Sequence, residues 1–457
     1  MKKREQWNSR IGFILAASGS AVGVGNIWKF PTMAGENGGA AFTLIYLLCI
    51  FIVGLSILLA ELMIGRKTQL SAVGAYKKLS TNKFWVFNGF LGTLSAVVIL
   101  SFYGVVGGWT LKYTFLSLFG FLNDLNIQQT QLIFSDFISL PIEPIYWQAG
   151  FMLITMFVII NGIKNGIEKW SKIMMPFVII LLIILAIRGL ITPGGIEGLK
   201  FLFYPKFDDL TPHSIVLALG HSFFTLSLGM GTMVAYGSYL RKDQDLFISS
   251  LWIIILDTFI ALIAGIAIFT TVFATGSDPA SGPGLIFTVL PTVFDQLIGG
   301  QLWSTIFFLL LFMAALTSAI SLLEVVTAYF VDEKKWSRFS ATITFGTFII
   351  LIGIFCSLSL GGGINISPFE NKTFFDLMDE LSSKYMLPIG GLLVSLFIIF
   401  EFKISNFTSE INNENSFINL NKTFTIIIFY ISAIVVGYIL INEIYFLISG
   451  SSLIGKS

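Results

Sequence analysis

Two glycine-rich interruptions lie inside stretches of this 457-residue chain that are otherwise apolar enough for membrane helices. The first is Gly19-Ser-Ala-Val-Gly-Val-Gly-Asn-Ile-Trp-Lys-Phe-Pro31, which places three glycines, an amide and a proline within one segment. The second, Ser227-Leu-Gly-Met-Gly231, lies in the other half of the chain. Lipid offers no partners to a freed backbone amide or carbonyl, so a spanning helix can break only where the break lines a protein cavity. Interrupted helices at corresponding places in two halves of a chain point to a binding site near the bilayer midplane.

Composition fits a polytopic membrane protein. Hydrophobic residues make up 55% and charged ones 12%, against about 25% charged in soluble domains, and mean hydropathy is +0.86. A net charge of +1 gives no basis for nucleic-acid binding. Cys49 and Cys356 sit far apart in hydrophobic runs without metal-site spacing and read as small buried hydrophobes. With two histidines, no phosphate loop and no carboxylate pair in a soluble cleft, the sequence offers no catalytic constellation. The basic start Met1-Lys-Lys-Arg-Glu runs into a segment that continues past any plausible cleavage site, so no cleavable signal peptide is expected.

A bilayer core takes about 20 helical residues. Eleven segments qualify: 11–34, 40–65, 86–117, 146–163, 169–190, 213–239, 247–274, 301–331, 339–357, 383–402 and 422–448. An all-α integral membrane protein follows, with 1–457 forming a single domain. Lys and Arg cluster at the N-terminus, from Arg66 to Lys83, from Lys164 to Lys172, at Arg241–Lys242 and from Lys334 to Arg338. The alternate connections 118–145 and 275–300 carry none. The positive-inside bias puts the N-terminus in the cytoplasm and, after eleven spans, the C-terminus outside. Segments one to five (1–190) and six to ten (213–402) then run in opposite senses, as an inverted repeat requires, with 422–448 an additional helix. That arrangement weighs against a simple channel and for a secondary transporter.

Unwound helix leaves carbonyls that attract cations and helix N-termini that attract carboxylates. Ala314, Thr317 and Ser318 share one helical face. Their hydroxyls can cap carbonyls one turn back or, beside a broken helix, serve a small hard cation; both readings stand. Asp257 lies among aliphatic residues in Trp-Ile-Ile-Ile-Leu-Asp-Thr-Phe-Ile, where a carboxylate costs about 2.5–3.5 kcal/mol even on lenient scales. Asn26 and Thr225 add uncharged oxygens next to the breaks. Ile99, Tyr103 and Val106 form an apolar face with one hydroxyl, and Phe223 and Phe224 precede the second break. Both patterns also suit plain helix packing. Glu324 is a further membrane acid, with no assignment from the sequence.

These stretches, with Glu36-Asn-Gly-Gly-Ala-Ala-Phe42, Phe223-Phe-Thr-Leu-Ser-Leu-Gly-Met-Gly231, Tyr236-Gly-Ser-Tyr-Leu-Arg-Lys-Asp243 and Ala315-Leu-Thr-Ser318, resemble the neurotransmitter:sodium symporter family. The resemblance covers segments one to ten. It is to the bacterial amino-acid branch with eleven helices, and it implies the LeuT fold, a 5+5 inverted repeat plus one helix.

It further implies two sodium sites. One would use Ala21, Asn26, Thr225 and Asp257 with the substrate carboxylate; the other would use Gly19, Val22, Ala314, Thr317 and Ser318. A substrate between the breaks would meet Ser20, Ala21, Gly23, Gly25, Tyr103, Thr225, Ser227 and Ser318, with Ile99, Val106, Phe224, Met230 and Leu322 around its side chain. Monoamine carriers of the family hold an aspartate where this chain has Gly23, so a substrate bringing its own carboxylate is implied. An apolar pocket without fixed charge favours hydrophobic L-amino acids. Tyr103 and Phe224 would form a lid, and Lys29 with Asp379 the extracellular gate, with lysine where much of the family has arginine. Arg4, Trp7, Ser238, Tyr239 and Asp332 match the cytoplasmic gate. In chloride-dependent members Tyr46, His221, Thr225 and Ser227 would neighbour the anion. Asp257, where many relatives carry asparagine, can supply that negative charge, implying chloride-independent transport. The expected partners are the lipid bilayer, sodium and the amino acid, with no nucleic acid and no obligate protein partner. Two alternatives stand lower. One is a sodium-coupled carrier of a betaine or omega-amino acid, for which Ile99 and Ser227 leave little space. The other is a non-transporting substrate sensor, which a signalling domain not seen in the sequence would favour.

Overall fold

The computed structural model describes residues 4–274, 276, 286–361, 372–412 and 416–449, and of Asp209 the backbone only. Residues 1–3 of the basic start, and 275 and 277–285 of the connection 275–300 that carries no Lys or Arg, lie outside the described residues. Every regular element among the described residues is helical. Among the described residues, nine helices are long and apolar enough to cross a membrane: Ala40–Thr68, Lys83–Leu118, Glu143–Ile160, Ile163–Leu190, Leu246–Ala274, Gly300–Lys334, Arg338–Leu360, Phe374–Phe402 and Lys422–Ser449. The first expected segment is a bent pair, Arg10–Ala21 and Gly25–Glu36, with axes 50° apart. The sixth is also two pieces, Pro212–Thr225 and Thr232–Gly237, each too short to span alone. All eleven expected segments are therefore helical, and two of them are broken where the glycines fall. They are numbered below as first to eleventh span.

The connections hold helices that hydropathy does not reveal, among them Ala72–Leu79, Ile127–Ser139, Gly195–Phe203, Val289–Asp295 and Ile404–Ile411. The last lies in the polar stretch 403–421. Ile127–Ser139 begins with a full capping box between Asn126 and Gln129, which satisfies two orphan amides at once.

Burial sorts the spans into layers. In the third and eighth, 78% of the most apolar window is buried, against 33% in the ninth and 39% in the eleventh. The third and eighth are thus the centre of the bundle, while Phe348 and Phe355 of the ninth and Ile434 and Ile441 of the eleventh face lipid. Both broken spans are embedded between these layers, so their unwound backbone meets protein rather than hydrocarbon.

Close helix crossings hold the breaks in place. A Cβ on Gly65 of the second span would lie 2.1 Å from the Val234 carbonyl oxygen, and one on Gly237 would lie 2.6 Å from that of Leu62. Backbone there approaches backbone, as small residues permit in membrane bundles. Gly65→Ala or Gly237→Ala is expected to destabilise the protein by about 1–3 kcal/mol, read as a lower thermal midpoint of the purified protein. Gly150→Ala, whose added methyl would meet only a Leu111 side-chain carbon at 3.6 Å, should change it by less than about 0.5 kcal/mol.

Candidate functional site

The first span unwinds after Ala21. Val22 turns to extended backbone (φ −78°, ψ 94°), and the chain re-enters helix through a π-helical turn at Gly25–Lys29. Pro31 follows that turn, inside the helical piece Gly25–Glu36. In the sixth span, Ser227, Gly229 and Gly231 have φ of 53°, 75° and 72°. Only Ser227 is strained by this, since left-handed backbone costs glycine nothing. A Cβ at Gly229 would also lie 2.3 Å from the Leu387 carbonyl oxygen.

Three side chains between the breaks converge. Asn26 Nδ2 donates to Asp257 Oδ1 at 2.8 Å, and Thr225 Oγ1 lies 2.9 Å from both Asn26 Oδ1 and Asp257 Oδ1. All three are buried to 1% exposure or less, and Asp257 Oδ2 has no hydrogen-bond partner. Such a knot of oxygens with a free carboxylate oxygen is chemically apt for a small cation.

A second group joins the first and eighth spans. Ser318 Oγ reaches the Ser20 carbonyl at 3.0 Å and that of Gly19 at 3.4 Å. Thr317 Oγ1 donates one turn back to the Ala314 carbonyl at 2.9 Å and lies 3.4 Å from the Val22 carbonyl. Both readings of the hydroxyl stripe thus have a counterpart: Thr317 caps its own helix, while Ser318 faces the carbonyls of the broken one.

Between these groups lies a cavity of about 20 Å³ lined by Ser20, Ala21, Gly23, Gly25, Ile99, Tyr103, Phe224, Ser227, Met230, Ser318 and Leu322. Of the residues expected around a substrate, only Val106 and Thr225 are not on its wall. Val106 lines a larger cavity of about 310 Å³ above, with Trp28, Phe102, Trp109, Phe134 and Phe375. Tyr103, Phe224 and Gly25 border both, so the two rings divide them. The Tyr103 hydroxyl accepts the Val24 N–H at 3.1 Å. Lys29 Nζ lies 3.0 Å from Asp379 and 4.8 Å from the centre of the Phe224 ring. A Cβ on Gly23 would fall 2.4 Å from Ser318 Oγ and 2.7 Å from the Tyr103 hydroxyl, which leaves no room for a side chain there.

Tyr46 and His221 pack with ring centres 5.2 Å apart, and neither the Tyr46 hydroxyl nor either His221 nitrogen has a hydrogen-bond partner. Of the residues expected around an anion, Thr225 is engaged with Asn26 and Asp257. Ser227 Oγ instead donates to the Ser20 carbonyl at 3.0 Å and lies 3.1 Å from Ser20 Oγ.

At the other end of the first span, Arg4 pairs with Asp332 and donates to Ser238 Oγ at 2.7 Å, its guanidinium 4.5 Å from the Tyr239 ring centre. Trp7 donates its ring N–H to the Tyr236 carbonyl at 3.0 Å. Glu324, unassigned from sequence, is fully buried, accepts the Tyr239 hydroxyl at 2.6 Å and pairs with Arg338.

Two site residues escaped the sequence reading. Ser321 Oγ lies 2.7 Å from Ser20 Oγ, so the hydroxyls of Ser20, Ser227 and Ser321 form one chain under the cavity. Glu61 of the second span, 1% exposed, accepts the Gly229 N–H at 2.8 Å and so supplies the partner that the second break needs. The rule that singled out Asp257, a carboxylate inside an apolar span, applies equally to Glu61. Glu61→Ala is expected to leave that amide orphaned and to destabilise the protein by about 1–3 kcal/mol. Glu61→Gln, which keeps an acceptor, should cost clearly less in the same thermal unfolding experiment.

The sodium:neurotransmitter symporter family profile matches residues 4–133 and 138–451. An uncharacterized sodium-dependent transporter of Bacillus subtilis, YhdH, is 42% identical over 437 residues, covering 95% of this chain and 96% of its own. A second uncharacterized sodium-dependent transporter, from Haemophilus influenzae, is 33% identical over 415 residues, covering 88% of this chain and 90% of its own. The crystal structure of MhsT in complex with L-phenylalanine superposes with a TM-score of 0.89 at 45% identity, over 96% of this chain and 99% of MhsT. The chain belongs to the sodium:neurotransmitter symporter family, with the LeuT fold, and is a multi-pass membrane protein of sodium-dependent transport rather than an enzyme.

Proposed function

We propose that this protein imports hydrophobic L-amino acids together with sodium, without chloride, by alternating access. The observation that carries the reading is the cavity between the breaks. Ile99, Phe224, Met230 and Leu322 give it an apolar wall, bare Gly23 leaves no acidic partner for an amine, and the oxygens of Asn26, Thr225 and Asp257 lie close by. An ionised side chain would lose its hydration there without finding a counter-charge. The L-phenylalanine bound to MhsT, 45% identical to this chain, supports the same substrate class.

In this reading the first sodium ion is held by the Ala21 carbonyl, Asn26, Thr225, Asp257 and the substrate carboxylate. The second is held by the Gly19, Val22 and Ala314 carbonyls with Thr317 and Ser318. An ion that touches the substrate raises its affinity and is reciprocally held more tightly by it. One net positive charge moving inward gains about 2.3 kcal/mol per 100 mV, enough for tens-fold accumulation. The first, second, sixth and seventh spans would rock against the rest, the two repeats being 1–190 and 213–402. The Lys29–Asp379 side would face outward and the Arg4–Asp332 side the cytoplasm, in a bacterial-type plasma membrane.

Uptake of labelled leucine or phenylalanine into proteoliposomes should require an inward sodium gradient. Leucine, tyrosine and tryptophan should compete for it, and glutamate and lysine should not. Uptake indifferent to sodium, or blocked best by charged amino acids, would overturn the reading.

Ser318→Ala and Thr317→Val are each expected to raise the sodium concentration for half-maximal uptake about fivefold, the equivalent of about 1 kcal/mol. An unchanged sodium dependence in both would remove the second ion from the mechanism.

Asp257→Asn should lose most chloride-free uptake and recover part of it when chloride is added. Full chloride-free activity in that variant would contradict the fixed-charge role of Asp257.

A further inference from the structure

The cytoplasmic segment that begins the first span is held on two sides, and the site assignments use only one of them. Arg4 and Trp7 bind the eighth and sixth spans. The residues between and after them, Glu5, Asn8 and Ser9, bind the fifth span through an exchange of carboxylates. Glu5 Oε2 accepts the Ile163 N–H at 2.9 Å. Glu168 Oε2 accepts the Asn8 N–H at 2.6 Å, and its Oε1 accepts the Ser9 hydroxyl at 3.1 Å and pairs with Lys172 at 2.6 Å.

Each span thus caps the other. Ser9 is the N-cap of Arg10–Ala21, and the Glu168 carboxylate lies over its first turn, where negative charge meets the positive end of the helix dipole. Gly12 leaves room for it, since a Cβ there would fall 2.1 Å from Glu168 Oε1. In return, the fifth span opens at Gly162 (φ 82°) with a π-helical turn, Ile163–Glu168, and its first amide is satisfied by Glu5. Glu168 is 1% exposed, so if residues 4–21 move away it keeps only Lys172 among its three partners. A buried carboxylate stripped in this way must reach water. The Ile163 amide loses its acceptor in the same movement, so the π-helical turn is left uncapped and open to solvent.

We propose that Glu168 and Glu5 are a positioning pair that makes the inner half of the first span and the π-helical start of the fifth open as one unit. The proposal rests on the sodium-driven cycle described above. Sodium held at the break of the first span keeps residues 4–21 docked, and through the two carboxylates it also keeps 163–168 closed.

Hydrogen exchange of the purified full-length protein, with sodium against potassium, tests this. In the unaltered protein sodium should slow exchange severalfold both in 10–21 and in 163–168. In Glu5→Ala, in Glu168→Gln and in Gly12→Ala sodium should still protect 10–21 but no longer protect 163–168. Glu5 is exposed and Glu168 and Gly12 are buried, so of the three replacements Glu5→Ala disturbs the packing least. A purely structural pair would change the baseline exchange and leave the sodium effect in place. Sodium protection of 163–168 that survives in all three variants overturns the proposal, as does its absence from the unaltered protein when 10–21 is protected. Protection of neither stretch in the unaltered protein instead overturns the sodium reading on which the proposal rests.

Discussion

Backbone amides and carbonyls released by a broken helix need partners, and lipid supplies none. Much of the molecule's interior answers that need. The Val24 N–H goes to the Tyr103 hydroxyl, and the Gly229 N–H goes to Glu61. The carbonyls of Gly19 and Ser20 face Ser318. Each partner comes from a span that is itself continuous and buried, so the unbroken second, third and eighth helices brace the two broken ones. Loss of any one partner leaves a polar group stranded in an apolar interior.

The same arrangement explains why both ends of the first span carry ion pairs while its middle carries none. Lys29–Asp379 and Arg4–Asp332 close opposite sides of one long element whose centre is unwound. A hinge in the middle permits the two halves to move separately, and charge pairs at the ends give each half a docked position that a modest force can undo. Burial is uneven in the same sense. The Arg4–Asp332 pair is 15% and 13% exposed at its side chains and the Lys29–Asp379 pair 28% and 31%, so the second is the more strongly screened by solvent.

The apolar helical segments were legible because hydropathy over a bilayer's thickness is a long and redundant signal. The breaks were legible because glycines cluster there with an amide and a proline or a serine, beyond the single small residues that helix packing uses. Asp257, Asn26 and Thr225 could be listed as candidates, but nothing local says that a residue at 257 meets one at 26; the family pattern supplied that pairing. What stayed hidden depends on three-dimensional partners. Glu324 needed Tyr239 and Arg338 before its burial made sense. Ser321 looked like any helix serine until Ser20 came within 2.7 Å. The short helices in the connections are amphipathic or capped pieces outside the bilayer, where hydropathy carries little information. Glu61 was within reach of the sequence and was passed over, because a glutamate one turn from Gly65 and Arg66 reads as the end of a span.

Lysine at position 29 has a consequence for how this end of the first span responds to its surroundings. Its ammonium is a compact charge on a flexible stem, shared between a carboxylate and the face of the Phe224 ring, and it lacks the bidentate hold an arginine would have. A partly exposed contact of this kind weakens as ionic strength rises. Any electrolyte, a sodium salt included, then loosens the Lys29–Asp379 pair without binding at a specific site. Brine and dilute medium would set different resting postures of this end of the first span, and an inert electrolyte would do so as well as a sodium salt.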